Sequence, residues 1–180
     1  MRVLPTAIEG VTIIEPVVYT DERGHFFQIF HARQYAAAGL PAEFVQDNES
    51  LSKRHVLRGL HLQLRKPQGK LVGVVSGEIW DVAVDIRRDS RTFGQWVGET
   101  LSEANRKQLY VPPGCAHGFC VLSDAAIVHY KCTDFYDPAD EVGIAYDDPA
   151  LGIAWPVTHP LLSPKDQRNM RWADFVALLT

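Results

Sequence analysis

Arg58-Gly59-Leu60-His61-Leu62-Gln63 alternates apolar and polar side chains with the period of a β-strand. Leu60, Leu62 and Leu64 fall on one face; His61, Gln63 and Arg65 fall on the other. The leucine face demands a core. The opposite face carries an imidazole, and in a small barrel a polar inner face lines a pocket. Downstream stand Lys70, the glycine turn Ser76-Gly77 and the segment Pro112-Pro113-Gly114-Cys115-Ala116-His117.

Short strands extend from this one in both directions. Residues 68–75 and 78–86 flank Ser76-Gly77, and in the second run Trp80, Val82, Val84 and Ile86 alternate with Asp81, Ala83 and Asp85, which predicts a hairpin. Residues 95–101 form a further strand and 102–106 a short helical turn. Residues 109–111 run into the Pro-Pro-Gly turn, 118–122 follow it, and Ser123-Asp124 opens a strand over 125–133 on which Ala126, Val128 and Tyr130 share a face. Upstream, Asp21-Glu22-Arg23-Gly24 is a turn, after which Phe26, Gln28 and Phe30 alternate with His25, Phe27 and Ile29. Residues 31–38 predict a short helix stopped by Gly39. Ser163-Pro164-Lys165-Asp166 has the form of a helix start, and 171–179 read as helical. Many short strands at regular spacing predict an all-β jelly-roll barrel with a few short helices and a C-terminal one.

The chain has 180 residues, 46% of them hydrophobic, enough for a single domain over 1–180 with a substantial core. Its net charge of −4 argues against a nucleic-acid partner. Three cysteines without a C-x-x-C pair suit reduced core thiols. No apolar run reaches membrane length, and the expectation is a soluble cytoplasmic protein.

Each chemically distinctive residue has two readings. His61 is either a satisfied core histidine or a pocket base. His117 either anchors the turn before it or meets a phosphate or sugar hydroxyl. Tyr130 and Tyr136 are either buried aromatics or phenols, one of which delivers a proton. Asp166 either caps a helix or supports an imidazole. Arg23, Arg58 and Lys70 are either solvated or a diphosphate-binding set. His61 and His117 could converge on a metal, but Gln63 is a poor ligand and Lys70 would repel the ion, so no metal is expected.

The order of these segments resembles the two motifs of a cupin barrel, with His61, Gln63 and Lys70 standing where the first motif normally supplies metal ligands. The chain as a whole resembles the dTDP-4-dehydrorhamnose 3,5-epimerase family, a cofactor-free branch of the cupins. The similarity rests on DERGHF at 21–26, FVQDNES at 44–50, LRGLHLQ at 57–63, the run from 68 to 96, YVPPGCAHGF at 110–119, YKCTDFYDP at 130–138, LGIAWP at 151–156 and LSPKD at 162–166.

That resemblance implies a cupin-type jelly roll and a nucleotide-linked 4-keto-6-deoxyhexose as substrate, epimerised at C3 and C5 without cofactor. It implies that His61 removes the proton, that Asp166 supports it, that Lys70 stabilises the enolate, and that Tyr130 returns a proton to the opposite face. Arg23, Phe26, Gln28, Gln46, Asn48, Arg58, His117 and Tyr136 would hold the nucleotide and sugar, and the chain would form a homodimer whose strands or loops cross into the partner's pocket. Gln28, where the family often has Glu, and Leu62, where it usually has Tyr, depart from the pattern. Three alternatives carry forward: a single-centre 3- or 5-epimerase, a metal-dependent cupin oxygenase built on His61 and His117, and a non-catalytic sugar-nucleotide module.

Overall fold

The structure, a computed structural model, describes residues 1–179; Thr180 lies outside them. In chain order the elements are β1 (Arg2–Pro5), β2 (Thr12–Glu15), β3 (Val18–Asp21), β4 (Gly24–Phe27), α1 (Ala32–Ala37), β5 (Gln46–Lys53), β6 (Leu57–Gln63), β7 (Lys70–Ser76), β8 (Glu78–Asp85), β9 (Trp96–Ser102), β10 (Gln108–Val111), β11 (Cys115–Val121), β12 (Ala125–Cys132), β13 (Glu141–Gly143) and α2 (Trp172–Leu178). They form a six-stranded sheet, β1-β2-β10-β7-β12-β5, a five-stranded sheet, β13-β6-β11-β8-β9, and a separate ribbon, β3-β4. All the pairings between these strands are antiparallel. This is the expected all-β jelly roll.

The core lies between the two sheets. Val72 and Val74 of β7, Leu109 of β10 and Ala126 and Val128 of β12 meet Ile79 and Ala83 of β8 and Phe119 and Val121 of β11. Leu60 and Leu62 point the other way, into a second cluster with Ile144, Leu151 and Phe175 that packs α2 onto the back of the five-stranded sheet. With its leucines on that outer face, β6 turns His61 inward.

The expected hairpin over 68–86 is not a paired hairpin. β7 bonds to β10 and β12, whereas β8 bonds to β11 and β9, so the chain changes sheets at Ser76-Gly77. Gly77 sits at φ 82°, and a Cβ there would collide with the Ala125 carbonyl oxygen. Alternation shows that two strands are adjacent in sequence, and it carries no information about which strands they bond to.

Two other expectations are corrected. The alternation through Phe30 stops being a strand at Phe27: Phe30 turns under the chain and packs tilted against Tyr35 and edge-on against Phe44, with ring centroids 4.8 and 5.3 Å apart. The helix expected from Ser163-Pro164-Lys165-Asp166 is one 3-10 turn, Asp166–Arg168. Ser163 Oγ accepts from Asp166 N at 3.0 Å, but the residue just ahead of the turn is Lys165, which makes no side-chain cap. Met170 then bridges to Ile144 and draws the backbone out of the helical region.

Asp85 ends β8 fully buried. It accepts hydrogen bonds from Arg87, from Ser90 Oγ at 2.5 Å and from Thr92 Oγ1 at 2.6 Å. Burial alone would push its carboxyl up, but these donors together hold it well below the usual range. A depressed folded pKa contributes stability that is present above the unfolded value, near 3.9, and is lost as pH falls through the folded one. Asp85→Asn is therefore expected to lower the urea midpoint at neutral pH, with the gap to wild type narrowing between about pH 4 and pH 2. A gap that stays constant across an acid series of urea melts would contradict this account.

Candidate active site

β6 and β11 cross unusually closely. Gly59 lies at φ 131°, and a Cβ there would come within 2.6 Å of Gly118 Cα and 2.9 Å of the His117 carbonyl oxygen. This pinch holds His61 and His117 as register partners on neighbouring strands.

His61 Nε2 lies 2.5 Å from Asp166 Oδ1. An ionised carboxylate only accepts, so this nitrogen carries the proton and Nδ1 is the basic atom. Ser163 Oγ donates to the other Asp166 oxygen at 2.9 Å. Burial pushes the Asp166 carboxyl up, but the bonds from His61, Ser163 and Asn169 outweigh it and hold it below the usual range. Asp166 opens the 3-10 turn, and its carboxylate makes no cap there but faces the imidazole and the Ser163 hydroxyl.

Arg58, His61, Lys70, His117, Tyr130 and Asp166 line a hollow of about 470 Å³. A second hollow of about 320 Å³ shares His61, Lys70 and Tyr130 and adds Gln46, Asn48 and Tyr136. The two are lobes of one cavity. β6 and β11 contribute the histidines from one sheet; β7 and β12 contribute Lys70 and Tyr130 from the other.

Burial pushes the Lys70 ammonium down, opposed through space by Cys132, Glu141 and Asp81. An anion entering the cavity would offset the cost of that desolvation by pairing with the charge. Burial pushes the Tyr130 phenol up, with Cys132 and Glu141 acting in the same direction and Arg58 opposing. Tyr130 thus keeps its proton at neutral pH.

In the second lobe, Tyr136 N donates to Gln46 Oε1 at 2.9 Å, Gln46 Nε2 donates to Asn48 Oδ1 at 2.9 Å, and Asn48 Nδ2 donates to Cys132 Sγ at 3.5 Å. Gln63 clamps the loop that carries Tyr136, donating to the Lys66 and Phe135 carbonyls and accepting from Asp137 N.

Two residues of the site escaped the sequence reading. Glu141 accepts from Tyr136 Oη at 2.5 Å, pairs with Lys165 and lies 3.9 Å from His61 Nδ1. Its strand, β13, is three residues long, too short for alternation to reveal. Asp81 meets His117 Nε2 at 2.8 Å. Its place beside Ala83 on the inward face of β8 was visible in the alternation, but nothing in sequence linked it to His117.

Three expected binding residues lie elsewhere. Arg23 pairs with Asp21 at the tip of the β3-β4 ribbon, and Phe26 on the same ribbon is 66% exposed. Gln28 accepts from Gln34 Nε2 and lines a separate hollow of about 560 Å³ beside Met1 and Tyr35. The ribbon belongs to neither sheet and carries Arg23 and Phe26 away from this cavity, and Gln28 follows just past its last strand. Among the described residues, no group of three His, Cys, Asp or Glu side chains could hold a metal ion; His61 and His117 each face a carboxylate of their own.

The family model for dTDP-4-dehydrorhamnose 3,5-epimerase matches residues 5–174. The chain belongs to the dTDP-4-dehydrorhamnose 3,5-epimerase family. It is 53% identical to a family epimerase of Methanothermobacter thermautotrophicus over 92% of this chain and 91% of that one. It is 44% identical to a dTDP-4-dehydrorhamnose 3-epimerase of Streptomyces niveus over 97% of this chain and 85% of that one. A crystal structure of the dTDP-6-deoxy-D-glucose-3,5-epimerase of Legionella pneumophila in complex with dTDP-4-keto-L-rhamnose superposes with a TM-score of 0.93 at 50% identity, covering 97% of this chain and 94% of that one. Members of the epimerase family therefore include both double- and single-centre enzymes at substantial identity to this chain. No helix among the described residues is long and apolar enough to cross a membrane.

Proposed function

We propose that the chain, acting as one cupin domain, inverts C3 and C5 of a dTDP-linked 4-keto-6-deoxyhexose. The observation that carries this is His61, bound to Asp166 at 2.5 Å, facing the same cavity as Lys70 and Tyr130. The C4 ketone acidifies the hydrogens on both neighbouring carbons. His61 Nδ1 takes one of them, and the electron pair moves onto the ketone oxygen. Lys70 balances the enolate charge as it forms. Tyr130 gives its proton to the carbon from the other side, which inverts it, and the ketone is restored. The substrate's carbonyl takes up the electrons at each step, so no oxidant is needed, and solvent water returns a proton to the Tyr130 phenolate and removes one from the His61 imidazolium before the next inversion. Arg58 and His117 line the first lobe and Gln46, Asn48 and Tyr136 the second, which suits them to hold the phosphates, sugar and base.

In deuterated water, purified protein and dTDP-4-keto-6-deoxyglucose are expected to give product labelled at both C3 and C5, read by proton NMR. Tyr130→Phe is expected to wash deuterium in while retaining the starting configuration, and inversion should fall at least about tenfold more than exchange. Label at C3 alone would assign a single-centre 3-epimerase, and absence of label at both carbons would end the epimerase reading.

The ribbon supports a homodimer. Arg23 and Phe26 project on exposed strands away from their own chain's cavity, with Tyr19 beside them 64% exposed. Entering a second copy's cavity would give them a substrate to bind. His61→Asn and Arg23→Ala, each impaired alone, should complement on mixing. Random exchange places both intact residues at about a quarter of all sites and restores about that share of activity. Mixtures no more active than the average of the two parents would leave the ribbon without this role.

A further inference from the structure

The cavity holds a second histidine–carboxylate pair that the proton transfers above do not use. His117 is 7% exposed, its ring lines the first lobe, and its Nε2 meets Asp81 Oδ1 at 2.8 Å. Asp81 is fully buried on the inward face of β8, between the core residues Ile79 and Ala83. Its Oδ2 has no hydrogen-bond partner among the described residues.

A carboxylate set into an apolar core with one oxygen unpaired is expensive, and for stability alone an apolar residue would serve better. What the pair achieves is orientation. A carboxylate on one ring nitrogen fixes both the angle of the imidazole and the nitrogen that carries the proton. His61 and His117 are register partners, and each gives Nε2 to its own acid: Asp166 from the rim, Asp81 from the core beneath.

We propose that Asp81 is a positioning residue for His117, holding Nε2–H so that Nδ1 is the ring atom that meets the bound nucleotide sugar. This rests on the cavity being the sugar-nucleotide site. The two imidazoles then have separate roles. His61 moves a proton, and His117 grips the ligand with a fixed nitrogen. The Asp81 charge also reaches Lys70 through space, so one buried carboxylate conditions two cavity-facing groups.

The test uses dTDP-glucose, which lacks the ketone and cannot react, with the full chain labelled at histidine nitrogen. Long-range nitrogen–proton spectra should show His117 protonated at Nε2, with its Nδ1 resonance moving as dTDP-glucose saturates the site. Asp81→Asn should abolish that fixed assignment and raise the dissociation constant about tenfold, as His117→Ala does, and the double variant should bind no more weakly than either single one. In turnover of the ketone substrate, Asp81→Asn should raise KM more than it lowers kcat. A bare Nε2 in the wild-type protein, an Nδ1 resonance unmoved by ligand, or additive losses in the double variant would each overturn the proposal. Should Asp81→Asn fail to fold, the wild-type spectra decide alone. Should the ketone substrate fail to exchange deuterium while dTDP-glucose still moves Nδ1, the epimerase reading falls and the positioning role stands.

Discussion

His61→Asn is expected to lower kcat by about three orders of magnitude while KM changes only a few fold. Asparagine's amide reaches only as far as Nδ1 did, so the 2.5 Å contact of Nε2 with Asp166 is lost, while a smaller polar side chain leaves the cavity wall its room. The chemical loss is the basic Nδ1. Proton removal happens only on the way to the transition state, so its loss falls on kcat and not on ground-state binding. The Asp166 contact sharpens this expectation. A carboxylate held below its usual range is fully ionised at neutral pH, and it would stabilise the imidazolium formed in the proposed proton removal. Steady-state epimerisation and deuterium wash-in should fall together, with dTDP-glucose affinity as the control. Wash-in within about tenfold of wild type would mean that another group takes the proton.

Lys70→Met is expected to lower kcat by about 10²–10³-fold and, at the same time, to leave the protein equally or more resistant to urea. The two halves of this result have one cause. Lys70 starts β7 with its ammonium pushed toward the neutral form by burial, and the carboxylates that oppose this act through space. The folded protein carries that desolvation continuously and recovers it only when the ketone oxygen turns negative. Methionine fills similar space, removes the desolvation and removes the charge stabilisation with it. Kinetics and urea melts on one preparation check both halves. A variant that loses activity and also unfolds markedly earlier would show that Lys70 supports the fold, and the lost activity would then say nothing for an enolate role.

How much of this was legible in the sequence depended on whether the signal was local. The alternation at Leu60-His61-Leu62 announced an outward leucine face and an inward imidazole, and both are found, because side-chain period follows directly from strand geometry. The run from Ala126 to Tyr130 behaved likewise. Partner choice was not local. Nothing around Ser76-Gly77 could say that β7 and β8 join different sheets, since that depends on where β10, β11 and β12 lie. The same limit hid Asp81 from His117, 36 positions away, and left Glu141 unseen on a strand of three residues. Asp166, 105 positions from His61, stood out as either a cap or a support for an imidazole, and sequence separation could not choose between the two. Arg23 stood out as a possible phosphate-binding cation, Phe26 and Gln28 came through family resemblance, and the distance of Arg23 and Phe26 from this chain's own cavity is a property of the ribbon that no motif carries.

The division of the site between the two sheets bears on how this catalyst can vary. His61, the proposed proton acceptor, hangs from one sheet and Tyr130, the proposed donor, from the other. The span between them is therefore set by the thickness of the hydrophobic filling, by Val72, Val74, Ile79 and Phe119, and no surface loop can adjust it. Trimming a methyl group deep in that filling would act as a change of gauge, altering the reach from imidazole to phenol with every reacting side chain still in place.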